Sequence, residues 1–281
     1  MAGTVRTLSA LDALLADNVA GDISAQDVRD LLWSVLLETT TSTVTTANVS
    51  AAAGKHYELT VSGLTANRNF VLPGSAVVGS IISVKLVTDA PDDYTLILIG
   101  DTGVTINGGT AATEWSRLFI DNECVTFRAT STTNWDVVYD GRIASKARAQ
   151  RTTAQSLTNS AWTVIEINSI DYQTGLPTTT STPWTFTVKR SGKYQLNMQT
   201  SKDGSSGSMI IGVLVNAETD GNNNPTNYWP ATSPGTLSTS MLIDLSAGDT
   251  VKLGTYVTAS GNSTRAVGGY TYPYLAIHEV L

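Results

Sequence analysis

Two histidines, one cysteine and a scatter of carboxylates are the residues of this chain whose types can do chemistry, and their spacing limits what they can do. His56 opens one run of alternating apolar residues and His278 lies in another at the C-terminus, whereas a metal or acid–base site needs several such groups converging. Each histidine is read as a strand residue with its neighbouring carboxylate, Glu58 or Glu279, on the alternate face, which makes its role structural. Gly204-Ser205-Ser206-Gly207 lacks the spacing of a nucleophile elbow. No phosphate-cradling or dinucleotide loop is visible. Asp220-Gly221-Asn222-Asn223-Asn224 echoes the opening of a calcium loop, but Pro225 stands where glycine is needed and no bidentate glutamate follows. Asp89 and Asp92-Asp93 read as solvated charge in a turn, not as the paired carboxylates of a glycan-processing enzyme. The expectation is therefore a chain that is not an enzyme, with no catalytic residue, no cofactor and no metal.

One stretch has the composition of a ligand surface. Residues 216–236 carry asparagines with Tyr228 and Trp229, set between Pro225, Pro230 and Pro234. Aromatic faces stack on sugar rings while amides bond to hydroxyls, so Tyr228 and Trp229 are candidate glycan contacts. The competing reading is that Trp229 plugs the fold or a seam between subunits.

The elements that position these residues are mostly strands. Of 281 residues, 41% are hydrophobic and only 15% charged, with threonine, serine, glycine and asparagine filling the gap as in β-rich proteins with polar turns. A net charge of −7 gives no general attraction to phosphate, which excludes nucleic acid as the expected partner. Arg142, Lys146, Arg148 and Arg151 form a local basic cluster, read as a solvated linker because no aromatics interleave it. Cys124 is the single cysteine, so no intrachain disulfide framework exists, and it is expected to fill a strand position. No run is long enough to insert in a membrane, and no secretory signal is read at the N-terminus.

Residues 1–38 are predicted to be helical. Ser24 caps a helix with Asp27 three positions on, and Ile23 and Val28 form a hydrophobic staple across the cap. Val28, Leu31, Leu32, Val35 and Leu36 then mark one apolar face, with Trp33 and Leu37 as a second apolar pair. That is more apolar surface than one packing face requires. Residues 39–54 read as an extended Thr/Ser/Ala linker. Residues 55–143 read as a middle β-sandwich domain, from the alternation of Tyr57, Leu59 and Val61 through to Trp135, Val137 and Tyr139, with Asn107-Gly108-Gly109 as a hairpin signal. Residues 144–150 are expected to form a neck of one or two helical turns. Residues 151–281 carry the clearest strands: Tyr194, Leu196 and Met198; Met241, Ile243 and Leu245; Val251 and Leu253; Leu275, Ile277 and Leu281. No internal repeat of fixed period is present.

Within that last third, the segments FTVKRSGKYQLNMQ, IDLSAGDTVKLGTYV and the terminal YLAIHEVL resemble the jelly-roll domains of the tumour-necrosis-factor and complement-subcomponent-q group, as they recur at the C-terminal ends of phage fibres and spikes. LLADNVAGDISAQDVRDLLWSV is similar to an N-terminal attachment segment of phage tail-fibre and head-decoration proteins. The stretch from Val104 to Ile143 resembles a β-sandwich module found upstream of such jelly rolls.

Together these resemblances imply a mainly β protein: a short N-terminal helical anchor, a middle β-sandwich and a C-terminal jelly-roll β-sandwich, assembled as a homotrimer. They imply a bacteriophage structural protein, made in the host cytoplasm and carried on the virion surface. The leading expectation is a capsid decoration or cement protein (a head fibre or turret); the alternative is a short tail fibre or receptor-binding spike that contacts host surface glycan. Virion docking, to the major capsid protein or another virion protein, falls to Ile23, Val28, Leu31, Leu32, Trp33, Val35 and Leu36. Tyr272, Tyr274 and His278 are implied at the trimer interface.

Overall fold

Residues that alternate in polarity extend into strands, and in the computed structural model they do so across the described part of the chain. The structure describes residues 38–176, 178–179, 185–203, 207–216, 225–229, 235–259, 261–264 and 272–281, with no helix among them. The expected helices and the docking residues Ile23 to Leu36 lie outside the described residues. The chain divides into two compact units: one runs to Asp89 and resumes over Leu96–Gly141, and the other comprises Ala90–Thr95 with Arg142–Leu281.

The first unit begins with β1 (Glu38–Thr43), β2 (Val49–Ser50), β3 (Lys55–Thr60), β4 (Arg68–Leu72), β5 (Ile81–Leu86) and β6 (Leu96–Gly100). Successive strands alternate between two sheets, and β1, β3 and β5 pair in parallel, as do β2, β4 and β6. The chain thus winds as a short coil. The coil is followed by β7 (Thr105–Ile106), β8 (Glu114–Leu118), β9 (Cys124–Ala129) and β10 (Asn134–Gly141), with β8 antiparallel to β6 and β9 antiparallel to β5. The two sheets have the orders β1-β3-β5-β9-β10-β7 and β2-β4-β6-β8. The arrangement is sandwich-like, as expected, but its first half is parallel. Glu38 pairs with Lys55 and Lys55 with Ile82, so successive turns differ in length and leave no period in the sequence.

Leu59, Phe70, Leu72, Ile82, Val84, Leu86, Leu96, Leu98, Phe127 and Trp135 are all fully buried in this unit. Each such side chain contributes about 1.5–3 kcal/mol by leaving water. The Tyr57 and Phe70 rings meet edge to face at 5.2 Å, and Trp135 Nε1 donates to the Pro73 carbonyl at 3.0 Å. Tyr139 departs from the predicted inward row because the register shifts between Val137 and Tyr139, and its side chain is exposed.

Two expectations are corrected here. The Thr/Ser/Ala stretch is no linker, since β1 and β2 within it form the first turn of the coil. Their threonines suit a strand as well as a tether. Asn107 and Gly108 both take positive φ (52° and 68°), and Gly109 N donates to the Ile106 carbonyl, so the predicted turn forms. It does not join a hairpin, because β7 pairs with β10 and β8 with β6. The turn is instead held by β10: Val137 N donates to Asn107 Oδ1 and Gly108 N to Asn134 Oδ1.

The Ala52 N–H donates to the Tyr57 hydroxyl at 2.7 Å, tying the first turn of the coil to the second. Tyr57→Phe is expected to cost about 1 kcal/mol of stability in urea unfolding, since the amide loses its partner. An unchanged midpoint would show that the first turn is not docked as described.

The second unit comprises β11 (Lys146–Gln150), β12 (Ala161–Val164), β13 (Ser169–Thr174), β14 (Thr178–Thr179), β15 (Thr185–Thr187), β16 (Gly192–Asp203), β17 (Met209–Val215), β18 (Pro225–Trp229), β19 (Gly235–Leu245), β20 (Thr250–Val257), β21 (Ser263–Thr264) and β22 (Tyr274–Val280). One sheet has the order β13-β11-β22-β16-β19 and the other β14-β15-β20-β17-β18. From β15 to β22 the chain crosses repeatedly between the two sheets, which is the jelly-roll pattern of paired Greek keys. Phe186, Tyr194, Leu196, Met198, Ile211, Val213, Val251, Leu253, Leu275 and Ile277 fill the core between them. The expected helical neck is a correction: Ala147 and Ala149 point into this core while Lys146, Arg148 and Gln150 point out, so the segment is strand β11. Burying two alanines against the jelly roll outweighs their helix propensity.

Candidate self-association face

The sheet that ends in β22 buries one side in the core, and period-two geometry leaves the other side to a different set of residues. Tyr274 and His278 lie on that outward side of β22, the central strand. Across the β11 ladder His278 is opposite Lys146, and Tyr274 is opposite Gln150. Across β16 the same two residues oppose Gln195 and Gln199. Gln195, Asn197 and Gln199 form a row of amides; Gln195 Nε2 donates to Ser240 Oγ at 2.5 Å, which donates onward to Asn197 Oδ1 at 2.9 Å. The face carries aromatics and amides among its charged side chains.

Its charges are mostly matched. Arg148 Nε lies 3.3 Å from Asp171 Oδ2, and its guanidinium stacks over the Tyr274 ring at 4.5 Å. Asp171 reaches this side through the register shift between Arg148 and Ala149, where it is the extra residue of a bulge. Lys193 Nζ is 2.9 Å from Asp244 Oδ1. Lys146 makes no ion pair among the described residues. The Tyr172 hydroxyl on β13 is 2.8 Å from His278 Nε2. Burial first, and then the Lys146 ammonium, hold the His278 imidazole below its ordinary pKa of 6.5. His278 is therefore neutral at pH 7, and with its proton on Nδ1 the ring accepts from Tyr172.

Of the three predicted interface residues, the structure brings Tyr274 and His278 to one face. Tyr272 precedes β22, half-buried, and its carbonyl accepts from Gln199 Nε2 at 3.2 Å. Tyr228 and Trp229 belong to strand β18, in register with Ile210 and Met209, so they do not sit in a loop as expected. Their side chains, and the Asp220–Asn224 segment, lie outside the described residues. His56 is corrected in one respect: Glu58 shares its face, with Oε1 3.9 Å from His56 Nε2, because positions two apart on a strand project from the same side. The histidines belong to different units. So do Asp89, whose Oδ1 accepts from Asp121 N at 2.7 Å, and the pair Asp92-Asp93. Among the described residues no three His, Cys, Asp or Glu side chains form a metal site.

Sequence reasoning missed a buried ionic network at one end of the jelly roll. Arg190, 1% exposed, places Nη1 3.0 Å from both carboxylate oxygens of Glu279. Ser145 donates to the same carboxylate from its backbone N at 2.9 Å and its hydroxyl at 2.8 Å. The Tyr194 hydroxyl donates to the Arg190 carbonyl at 2.7 Å, and burial, then the Glu279 carboxylate, raise the phenol well above its ordinary pKa. One signal was available: Glu279 shares the inward parity of Leu275 and Ile277, and a carboxylate in a core register must be paired.

No protein-family model matches the chain, and no curated protein matches it either. Among solved structures it is similar to murine APRIL at pH 8.0, with 12% identity over 49% of this chain and 100% of that one, at a TM-score of 0.38. It is also similar to the Eiger TNF of S. frugiperda, with 13% identity over 50% of this chain and 92% of that one, at a TM-score of 0.34. Likeness this distant adds nothing to the fold beyond what the strand order above already defines.

Proposed function

We propose that this chain is a non-enzymatic bacteriophage structural protein: a homotrimeric capsid decoration or cement protein that docks through residues 1–38 and projects from the virion surface. The observation that carries the trimer is the outward face centred on β22. Tyr172, Tyr274 and Arg148 belong to the residue types enriched at interfaces, and Arg148 is already paired with Asp171 within the sheet. A surface of this kind loses little by leaving water against a copy of itself. The phage assignment rests on the sequence resemblances of residues 14–35, 104–143 and 151–281, and docking rests on the apolar surplus of the Ser24–Leu37 segment. The purified protein is expected to scatter light as a trimer at micromolar concentration, and Tyr274→Ala to weaken assembly by about 2 kcal/mol or more if that ring is a central anchor. A monomer mass for the unaltered protein overturns the trimer. A receptor-binding tail fibre is the other reading of the same resemblances, and it differs in what it requires of Tyr228 and Trp229.

A further inference from the structure

The outward face centred on β22 places a neutral imidazole beside an unmatched ammonium, inside the surface assigned above to the trimer seam. The groups that face His278 can be named from every strand around it. From β11 come Lys146, directly opposite in register, and Arg148, which is engaged by Asp171. From β13 comes the Tyr172 hydroxyl, 2.8 Å from Nε2. From β16 come the uncharged Gln195, opposite in register, and Lys193, which is engaged by Asp244 of β19. On β22 itself Tyr274 shares the face, while Glu279 points inward and is held by Arg190. Among the described residues no carboxylate named on this face is left over to receive a new positive charge, because Asp171 and Asp244 already serve Arg148 and Lys193.

We infer that the Tyr172–His278–Lys146 cluster makes self-association acid-labile: the trimer holds while His278 is neutral and separates when His278 gains a proton. The inference rests on the trimer reading above. Protonation does two things at once. It takes from Nε2 the lone pair with which the Nδ1-protonated ring accepts from the Tyr172 hydroxyl, so that the ring can only donate there. It also sets a second cation across the strand pair from Lys146, in a seam where three copies bring the same charges together and water that would screen them is excluded. The direction is set by linkage. The half-buried imidazole of the single subunit already binds its proton less readily than a free one, and the seam lowers its pKa further. Assembly is therefore favoured in full above the subunit's own pKa, itself below 6.5, and is progressively lost as pH falls from there through the lower value in the trimer.

The test is sedimentation velocity of the full chain at pH 7.5 and pH 5.0, with intrinsic fluorescence reporting that the subunits stay folded. The expected result is trimer at the higher pH, with the concentration for half-assembly raised about tenfold or more at the lower one. His278→Gln keeps an acceptor for Tyr172 but cannot titrate, and is expected to assemble equally at both. Because the chain has only two histidines, an NMR titration assigns the His278 signal from its absence in the glutamine variant. Trimers of equal strength at both pH values overturn the switch and leave the trimer standing. Monomers at both overturn the trimer itself. Dissociation that persists unchanged in His278→Gln overturns the role of this cluster.

Discussion

Glu279→Ala is expected to destabilise the jelly-roll unit by about 3–5 kcal/mol, among the largest losses available to any single substitution in this chain. The substitution removes the charged partner of a guanidinium that is 1% exposed, leaving Nη1 the neutral Ile143 carbonyl at 3.4 Å. It also strips the acceptor from the Ser145 N–H and hydroxyl, both buried. Each lost bond adds to the cost, because an orphaned buried donor keeps its full desolvation penalty. The four residues come from three segments far apart in the chain: Ser145 just before β11, Arg190 and Tyr194 either side of the start of β16, and Glu279 in β22. Loss of the carboxylate therefore loosens the first and last strands of the unit together. Urea unfolding followed by tryptophan fluorescence measures the effect. The double change Arg190→Met with Glu279→Leu removes both charges, and is expected to recover most of the loss or exceed the original stability. A loss under about 1 kcal/mol for Glu279→Ala would mean that the network is solvated and not buried.

Much of the jelly roll is legible from alternation alone. Tyr194, Leu196 and Met198 were expected on one face and are all fully buried, as are Val251, Leu253, Leu275 and Ile277. What escaped was the exception within the pattern. Arg190 sits in Lys-Arg-Ser-Gly, which reads as a solvated turn, and only the three-dimensional return of β22 brings Glu279 to it. The parallel coil of the first unit escaped for another reason. Its strands pair across turns of unequal length, and β2 and β7 are two residues each, too short to show a period. Segment 144–150 misled through composition, since alanine, lysine and arginine favour helix while the pairing of Ala147 and Ala149 with β22 makes it a strand. Of the candidate face, Tyr274 and His278 were visible in the final strand. Tyr172, Arg148 and the amide row were not, because they come from strands that the sequence order does not place beside it.

Deleting residues 1–37 is expected to leave a folded, soluble trimer that no longer joins particles. The cut spares β1, which starts at Glu38 and pairs along its whole length with β3, so both compact units keep their strands. The deletion removes the segment in which Val28, Leu31, Leu32, Val35 and Leu36 mark one apolar face and Trp33 with Leu37 a second. Surface of that extent is stable in water only when covered, and a capsid shell is the covering that the proposed role supplies. Trp33→Ala should weaken attachment in the same direction, by about 2–4 kcal/mol per copy if the indole is a buried anchor. Occupancy on particles, measured by quantitative gel after purification, decides the point; normal occupancy of the truncated chain moves docking elsewhere. The capsid and tail roles then part in the behaviour of particles that lack the chain. A cement protein stabilises the assembled shell by binding it, so such particles should adsorb to host cells but release DNA at lower temperature. A receptor-binding fibre demands the reverse, with Tyr228 and Trp229 needed at the host surface. The double change Tyr228→Ala with Trp229→Ala is expected to leave adsorption intact. A variant of this kind that assembles normally yet fails to adsorb transfers the proposal from the capsid to the tail.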